Sequence, residues 1–451
     1  MSIVSLTDLL AGARPDSHCI AIQPDRRISL ARLRGDILHN SARLSGRAIR
    51  RGAVICEDGY WFIVGVLALM KIGADVILPP NPQAGTLRNL ANEYDVLLTD
   101  PAAVGLEEKI ALEAGPAGAP PFQADIEKCR VDFFTSGSTG EMKRVEKSLM
   151  MFEREARVLE QMWGEELEGV ASLGTVTHQH VFGMTFRIMW PLAAGRPFHA
   201  EFHVMWEPLM AQLNGPSMLV SSPAQLTRLG GLTPVTAGNR PRLIITAGAA
   251  LPSEAAIEAT AIFGCAPTEI FGSTEAGAIA WRREAAEPVL WRPLPSVEVA
   301  ASADGVLMLR SPHASSHEWC EQTDRISFAA DGRFRLDGRI DRVFKIEGKR
   351  VSLTRLEREI AALEWVTEAA VVVLGGSRAY LGAVVKLSDA GASELDRLGK
   401  FRFGRMLRHQ LTSTEDLAVL PRRWRFVDLM PMDGLGKRRV RDVVALLEDT
   451  V

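Results

Sequence analysis

The sequence predicts an α/β protein with a large N-terminal domain of helix-covered sheets and a small α+β C-terminal domain. Three observations predict it. The chain has 451 residues, more than one core of ordinary size organises. Short apolar runs alternate with helical patterns from residue 28 to 110 and again from 217 to 275, as mainly parallel strands joined by helices do. Near residue 300 the pattern changes to charged-faced strands with Asp-Gly turns, as antiparallel hairpins have.

Each element follows from its own spacing. "SLARLRGDILHNSARLSG" sets Leu30, Leu33, Ile37, Leu38 and Leu44 at helical intervals. "AVIC" at 53–56, "ADVILP" at 74–79 and "DVLLTD" at 95–100 predict strands. "WFIVGVLALM" at 61–70 is apolar throughout but too short for a bilayer, which takes roughly 20 residues, so it predicts a buried helix and no membrane span. "GPAGAPP" at 115–121 is a loop, and Val131 to Phe134 a strand. "SMLVSS" at 217–222, "RLIITAG" at 242–248, a helix from about 252 and "TEIFGSTE" at 268–275 renew the alternation. Then come the antiparallel candidates "GVLMLRS" and "GRFRLDGRIDRVFKI". The amphipathic helix "RLEREIAALEWV" carries Leu356, Ile360 and Leu363 on one face, and "AAVVVLGG" at 369–376 is a further strand. The boundary falls near Asp341, dividing the chain into 1–340 and 341–451.

Composition excludes several classes. Apolar residues make up 47% and charged residues 24%, the balance of a soluble globular chain. A net charge of −3 gives no global field to attract nucleic acid or an anionic membrane. Basic stretches gather near the end, in "PRRWR" at 421–425 and "GKRRVR" at 436–441. Five dispersed cysteines without paired spacing argue for reduced thiols in a cytoplasmic protein, against a disulfide framework or zinc site. "MSIVSLTDLL" has no basic region leading into an apolar core, so no signal peptide is expected.

The chemistry starts at "TSGSTGEMKR", residues 135–144. Four hydroxyls, two glycines and a lysine behind a strand have the composition of a phosphate-holding loop. Gly137 and Gly140 are too close for the Walker pattern, and Arg144 follows Lys143, which disfavours a kinase-like P-loop enzyme. Four further segments follow in order: "TAGAAL" at 246–251, "IFGSTEAG" at 270–277, "DGRFRLDGRIDRVFKIEGKRVSL", and "PMDGLGKRRVR". With these five motifs the chain resembles, over essentially its whole length, the adenylate-forming superfamily of acyl-CoA synthetases, aryl-acid ligases, luciferase-like enzymes and peptide-synthetase adenylation domains. The run "THQHVFGMTFRIMWPLAAGR" with "GEMKRVEKS" is most similar to the stand-alone ligases of bacterial aryl-polyene pigment clusters.

The resemblance implies ATP- and Mg²⁺-dependent activation of a carboxylic acid to its adenylate, with pyrophosphate released. Transfer to a phosphopantetheine thiol follows. An anion attacks a polyanion, so such a catalyst mainly neutralises charge and aligns groups. Thr135, Ser136, Gly137, Ser138, Thr139 and Gly140 would cradle the β and γ phosphates, with Lys143 adding a point charge. Glu275 would hold Mg²⁺, and Thr274 would donate to the α-phosphate. Gly248 and Ala249 would lie beside the adenine, with Phe271 supplying a flat face against it where the family usually has tyrosine and Gly272 also in the ATP-binding set. Asp324 would take both ribose hydroxyls, backed by Arg339. Lys437 would reach the α-phosphate and the acid, and His180 would stand beside the carboxylate and thiol tunnel. The C-terminal part would be a mobile lid hinged at Asp341, with Lys345 and Gly348 in its thiol-tunnel loop.

The family's Pro-Lys-Gly is here Met142-Lys143-Arg144, and its Thr-Gly-Asp is Gln322-Thr323-Asp324; neither change removes a charged catalytic group. The first expectation is therefore an aryl acid, of hydroxybenzoate type, loaded on an acyl carrier protein. Aryl- or acyl-CoA synthesis with free CoA is the second. A non-catalytic nucleotide-binding relative that docks a carrier protein is a third, opposed by the retained Glu275 and Lys437.

Overall fold

The computed structural model describes residues 3–101, 109–126, 129–136, 142–283, 290–314, 316, 318–346, 349–375, 379–413, 417–432 and 438–448. Tertiary contacts divide the chain into two compact units. Among the described residues the first falls within 3–136, 142–298 and 310–318, and the second within 299–309 and 319–448. Packing thus groups the strands Val306–Arg310, Cys320–Phe328 and Phe334–Arg339 mostly with the C-terminal part, and Asp341 lies inside that second unit.

The first unit holds two sheets. The six-stranded one runs Lys109–Ala111, Val96–Thr99, Arg51–Ile55, Asp75–Leu78, Arg130–Ser136 and Met142–Ser148, parallel until the last strand turns back. The expected apolar helix is there as Gly59–Lys71, its residues 59–70 all buried. Asp58 caps it by accepting from the Tyr60 and Trp61 N–H groups, which sets where it begins. The amphipathic helix Leu30–Leu44 starts at Ser29, whose hydroxyl accepts from Arg32 N–H.

The nine-stranded sheet contains four adjacent parallel strands: Ala171–Gly174, Ser217–Ser221, Leu243–Ala247 and Pro267–Ser273. Central strands of such a sheet are covered on both faces, so their side chains read as continuous apolar runs. Met218, Leu219, Val220, Leu243, Ile244 and Ile245 are all at most 1% exposed. The loops that leave these four strands emerge at one edge, where open α/β sheets bind ligands.

The second unit carries a four-stranded sheet, a two-stranded hairpin and a three-stranded sheet. Leu356 and Ile360 of the helix Leu353–Ala361 pack into a core with Val371, Val385 and Phe403. "PRRWR" is not just a surface patch. It runs into the strand Arg423–Val427, which pairs parallel with Tyr380–Leu387 at the edge of its sheet. Half-buried arginines on an edge strand read as a solvated charge run, which is why the strand was not expected.

Candidate active site

Antiparallel pairing sets Thr135 opposite Lys143 and Ser136 opposite Met142, so the two ends of the motif lie on adjacent paired strands. Gly137, Ser138, Thr139 and Gly140 lie outside the described residues, as do Gly348 and Lys437. The side chains of Thr135, Ser136, Asp341 and Lys345 lie outside them too.

Lys143 donates to Glu275, Nζ to Oε1 2.5 Å, across a sequence separation of 132 residues. The two sheets therefore meet where the strand Met142–Ser148 faces the turn that carries Glu275. Both ends are accessible, at 61% and 45% side-chain exposure. Lys143, Glu275, Arg130, Arg144 and Lys147 line a cleft of about 370 Å³. Partial burial raises the Glu275 carboxyl, but hydrogen bonds from Lys143 and the backbone, with the charges of Lys143 and Lys147, outweigh it and hold the group below its usual value. Among the described residues no cluster of three His, Cys, Asp or Glu could hold a metal by itself. The donor set fits magnesium differently: Glu275 would give an ionised carboxylate in a cleft that carries four cationic side chains and one further acid, Glu146, with phosphate and water left to supply the other oxygens.

The turn presenting Thr274 and Glu275 has its own scaffold. The pairing register with the strand Gly277–Arg282 shifts here: Phe271 faces Ala280 and Gly272 faces Ala278, so Ile279 is the extra residue of a bulge. A Cβ on Gly272 would stand 2.2 Å from the Gly277 carbonyl oxygen, so only glycine fits. Gly277 itself has φ +71°, and its space is closed by Glu155 and His313. Ser273 Oγ accepts from Ala276 N–H at 3.0 Å. Phe271 is half-buried and its ring packs against Trp291, centroids 5.6 Å apart.

Beside it, Ala247 pairs with Ile270, so Gly248 and Ala249 leave the neighbouring strand at the same edge, both exposed. Glu269 ties the two segments together. It accepts from Leu251 N–H at 2.9 Å and binds the buried Arg282 through both oxygens, at 2.6 and 2.7 Å.

Several residues around this turn escaped the sequence reading. Lys147 is 1% exposed, and its Nζ donates to the Glu275 carbonyl at 3.4 Å. Burial lowers its ammonium, and the charges of Glu155 and Glu275 oppose that. Strand periodicity could have found it, since residues i and i+4 share a face with Lys143. Glu155, also buried, accepts from Ala278 N–H at 2.8 Å, and His313 Nε2 donates to Ala278 O at 2.7 Å. No local signal marks either one. Arg144, the departure from the usual glycine, pairs with the fully buried Asp132 at 2.6 Å. Its role there is to neutralise a core carboxylate.

His180 is half-buried at the start of the short helix Val181–Gly183. It stands on the loop that leaves the strand Ala171–Gly174, at the same sheet edge. Its neighbour His178 is fully buried and pushed down to about 3, by burial first and then by the Arg187 charge. Neutral His178 donates from Nε2 to Cys56 O at 2.7 Å and accepts at Nδ1 from Arg187 at 3.3 Å. Arg187 also donates to the carbonyls of Val176, His199 and Glu201, which fixes the loop on which His180 stands. It lies on the π-helical turn Met184–Met189, which periodicity did not reveal.

In the second unit Asp324 and Arg339 are directly paired across two antiparallel strands. Asp341 sits in the single turn Ile340–Arg342. Arg342 binds Glu357 through two nitrogens, at 2.7 and 2.6 Å, and Val371 O at 3.0 Å. Lys345 pairs with Arg350 in the following hairpin.

Residues 82–306 match the family model of the AMP-binding enzyme. A 4-coumarate–CoA ligase of Rhodobacter capsulatus is 26% identical over 318 residues, 70% of this chain and 76% of the relative. ATP-bound MatB from Rhodopseudomonas palustris superposes with a TM-score of 0.78 at 19% identity, over 98% of this chain and 99% of that one. The o-succinylbenzoate coenzyme A synthetase MenE from Bacillus subtilis, in complex with AMP, gives 0.77 at 16% identity, over 99% of each chain. At these identities the two structures speak for the fold.

Proposed function

Because the chain belongs to the AMP-binding enzyme family and is an adenylate-forming acid ligase, we propose that its acid is an aryl one of hydroxybenzoate type and its acceptor the phosphopantetheine thiol of an acyl carrier protein. The observation that carries the site reading is the meeting of Lys143 with Glu275, 2.5 Å apart in that cleft. In this reading the segment 135–143 holds the β and γ phosphates. Glu275 holds the magnesium, whose charge neutralises the triphosphate, and Thr274 donates to the α-phosphate. Phe271, Gly272, Gly248 and Ala249 form the adenine side. Asp324 and Arg339 take the ribose. His180 stands at the acid pocket, and Lys437 aligns carboxylate and α-phosphate. Residues 341–451, part of the second unit, form a lid turning at Asp341, with residues 1–340 as the adenylation domain.

Transfer to free CoA is the second reading, favoured by the coumarate–CoA ligase relative. The carrier reading rests on the likeness of "THQHVFGMTFRIMWPLAAGR" to carrier-loading ligases and on the basic C-terminal part. The two separate in an acceptor comparison. With the preferred acid, kcat/KM should be higher for a phosphopantetheinylated acidic carrier than for CoA, and should fall with salt. A clear preference for CoA over every acidic carrier from the same organism would replace the first reading with the second.

A further inference from the structure

We infer that the helix Lys400–Gln410 is the surface on which an acidic carrier protein docks, with Phe401 as its apolar anchor; this rests on the carrier-protein reading above. The helix reads "KFRFGRMLRHQ", with four permanent positive charges and no acid, in a chain whose net charge is −3. Its inner face is settled: Phe403, Gly404 and Leu407 are buried. Phe401, Arg402, Arg405, Arg408 and His409 fall within about 120° on the other side. Phe401 is 77% exposed, the Arg405 guanidinium lying 5.9 Å from its ring centroid.

This face is costly for folding alone. Lys400 and Arg402 stand in the first turn, at the positive end of the helix dipole, and Gly399 offers no side-chain cap. Burial and the neighbouring Arg422 both push the Arg408 guanidinium down. The acidic Glu394 of the preceding helix is already taken by Arg397. Among the described residues Lys400, Arg402 and Arg405 have no carboxylate partner. Arg438, by contrast, is committed to Glu368 at 2.6 Å and to Ala369 O, so the basic tail is not uniformly available.

A large exposed aromatic ringed by arginines has the composition of an interface centre, and the charge selects an acidic helical partner. The carrier is the macromolecule such a ligase must meet, and it brings the acceptor thiol.

Phe401→Ser, Arg402→Glu and Arg405→Glu separate docking from chemistry. ATP–pyrophosphate exchange with the preferred acid should stay within about twofold of the parent. KM for a purified, phosphopantetheinylated acidic carrier should rise about tenfold or more for Phe401→Ser and Arg405→Glu, and kcat/KM should lose part of its salt dependence. Turnover with free CoA should not change. Unchanged carrier KM would overturn the inference. So would an equal loss with free CoA, which would give the helix to the nucleotide end of that acceptor. Loss of exchange in the variants would make the helix structural. A parent that exchanges pyrophosphate but loads no acidic carrier would remove the carrier reading and the docking surface together.

Discussion

At Glu275 two effects oppose each other. Burial favours the neutral acid; Lys143, the backbone hydrogen bond and Lys147 favour the carboxylate and prevail. A carboxyl depressed in the folded state contributes stability above its unfolded value of 4.5 and loses it as pH falls. With 45% of the side chain exposed, that contribution is small, and the consequence is catalytic. The carboxylate stays ionised through the neutral range, so the acid limb of adenylation attributable to it should lie below pH 4.5, and Lys143→Met should move that limb upward. Glu275→Gln should cut adenylation at limiting magnesium by about 100-fold or more. Near-normal pyrophosphate exchange there would show that the carboxylate is not the metal ligand. The sequence offered Lys143 and Glu275 through their motifs. It could not offer Glu155 and His313, which brace the same turn from 123 and 35 residues away.

The hairpin through residues 267–282 is the element that converts the sheet edge into a site. Its strands pair as far as Ser273 and Gly277, so the chain reverses over residues 274–276 and presents Thr274 and Glu275 in that turn. Gly272→Ala would drive a methyl to within 2.2 Å of backbone oxygen, which only opening of the bulge relieves. We expect a loss of about 1–3 kcal/mol in unfolding free energy, with weaker exchange activity than the stability loss explains. Unfolding and exchange both like the parent's would mean the bulge is not required. The strands Ser217–Ser221 and Leu243–Ala247 beside this hairpin were legible because burial on both faces leaves an apolar run between turn residues. The π-turn Met184–Met189 and the edge strand Arg423–Val427 were not. One insertion in a helix leaves the residue order unaltered, and half-buried arginines mimic a solvent-facing stretch.

The whole molecule consists of two compact units, and the proposed chemistry gives each a task. A mixed anhydride must be kept from water while it forms and then opened to a thiol, which a lid with two poses achieves. Arg342 fastens the residue after Asp341 to Glu357 and Val371, so a rotation at Asp341 would carry the helix Leu353–Ala361 and its sheet as a block. Lys437→Ala should then abolish adenylate formation yet still convert a supplied acyl-adenylate to thioester, and Gly348→Leu should do the reverse. Joint loss of both half-reactions in each variant would speak for a single pose. Adenylation of an aryl acid in this cleft would show as acid-dependent ATP–pyrophosphate exchange across a panel of aryl and alkyl acids. Exchange should depend on magnesium and be fastest with a hydroxybenzoate-type acid. No exchange with any acid, or exchange restricted to alkyl acids, would contradict it.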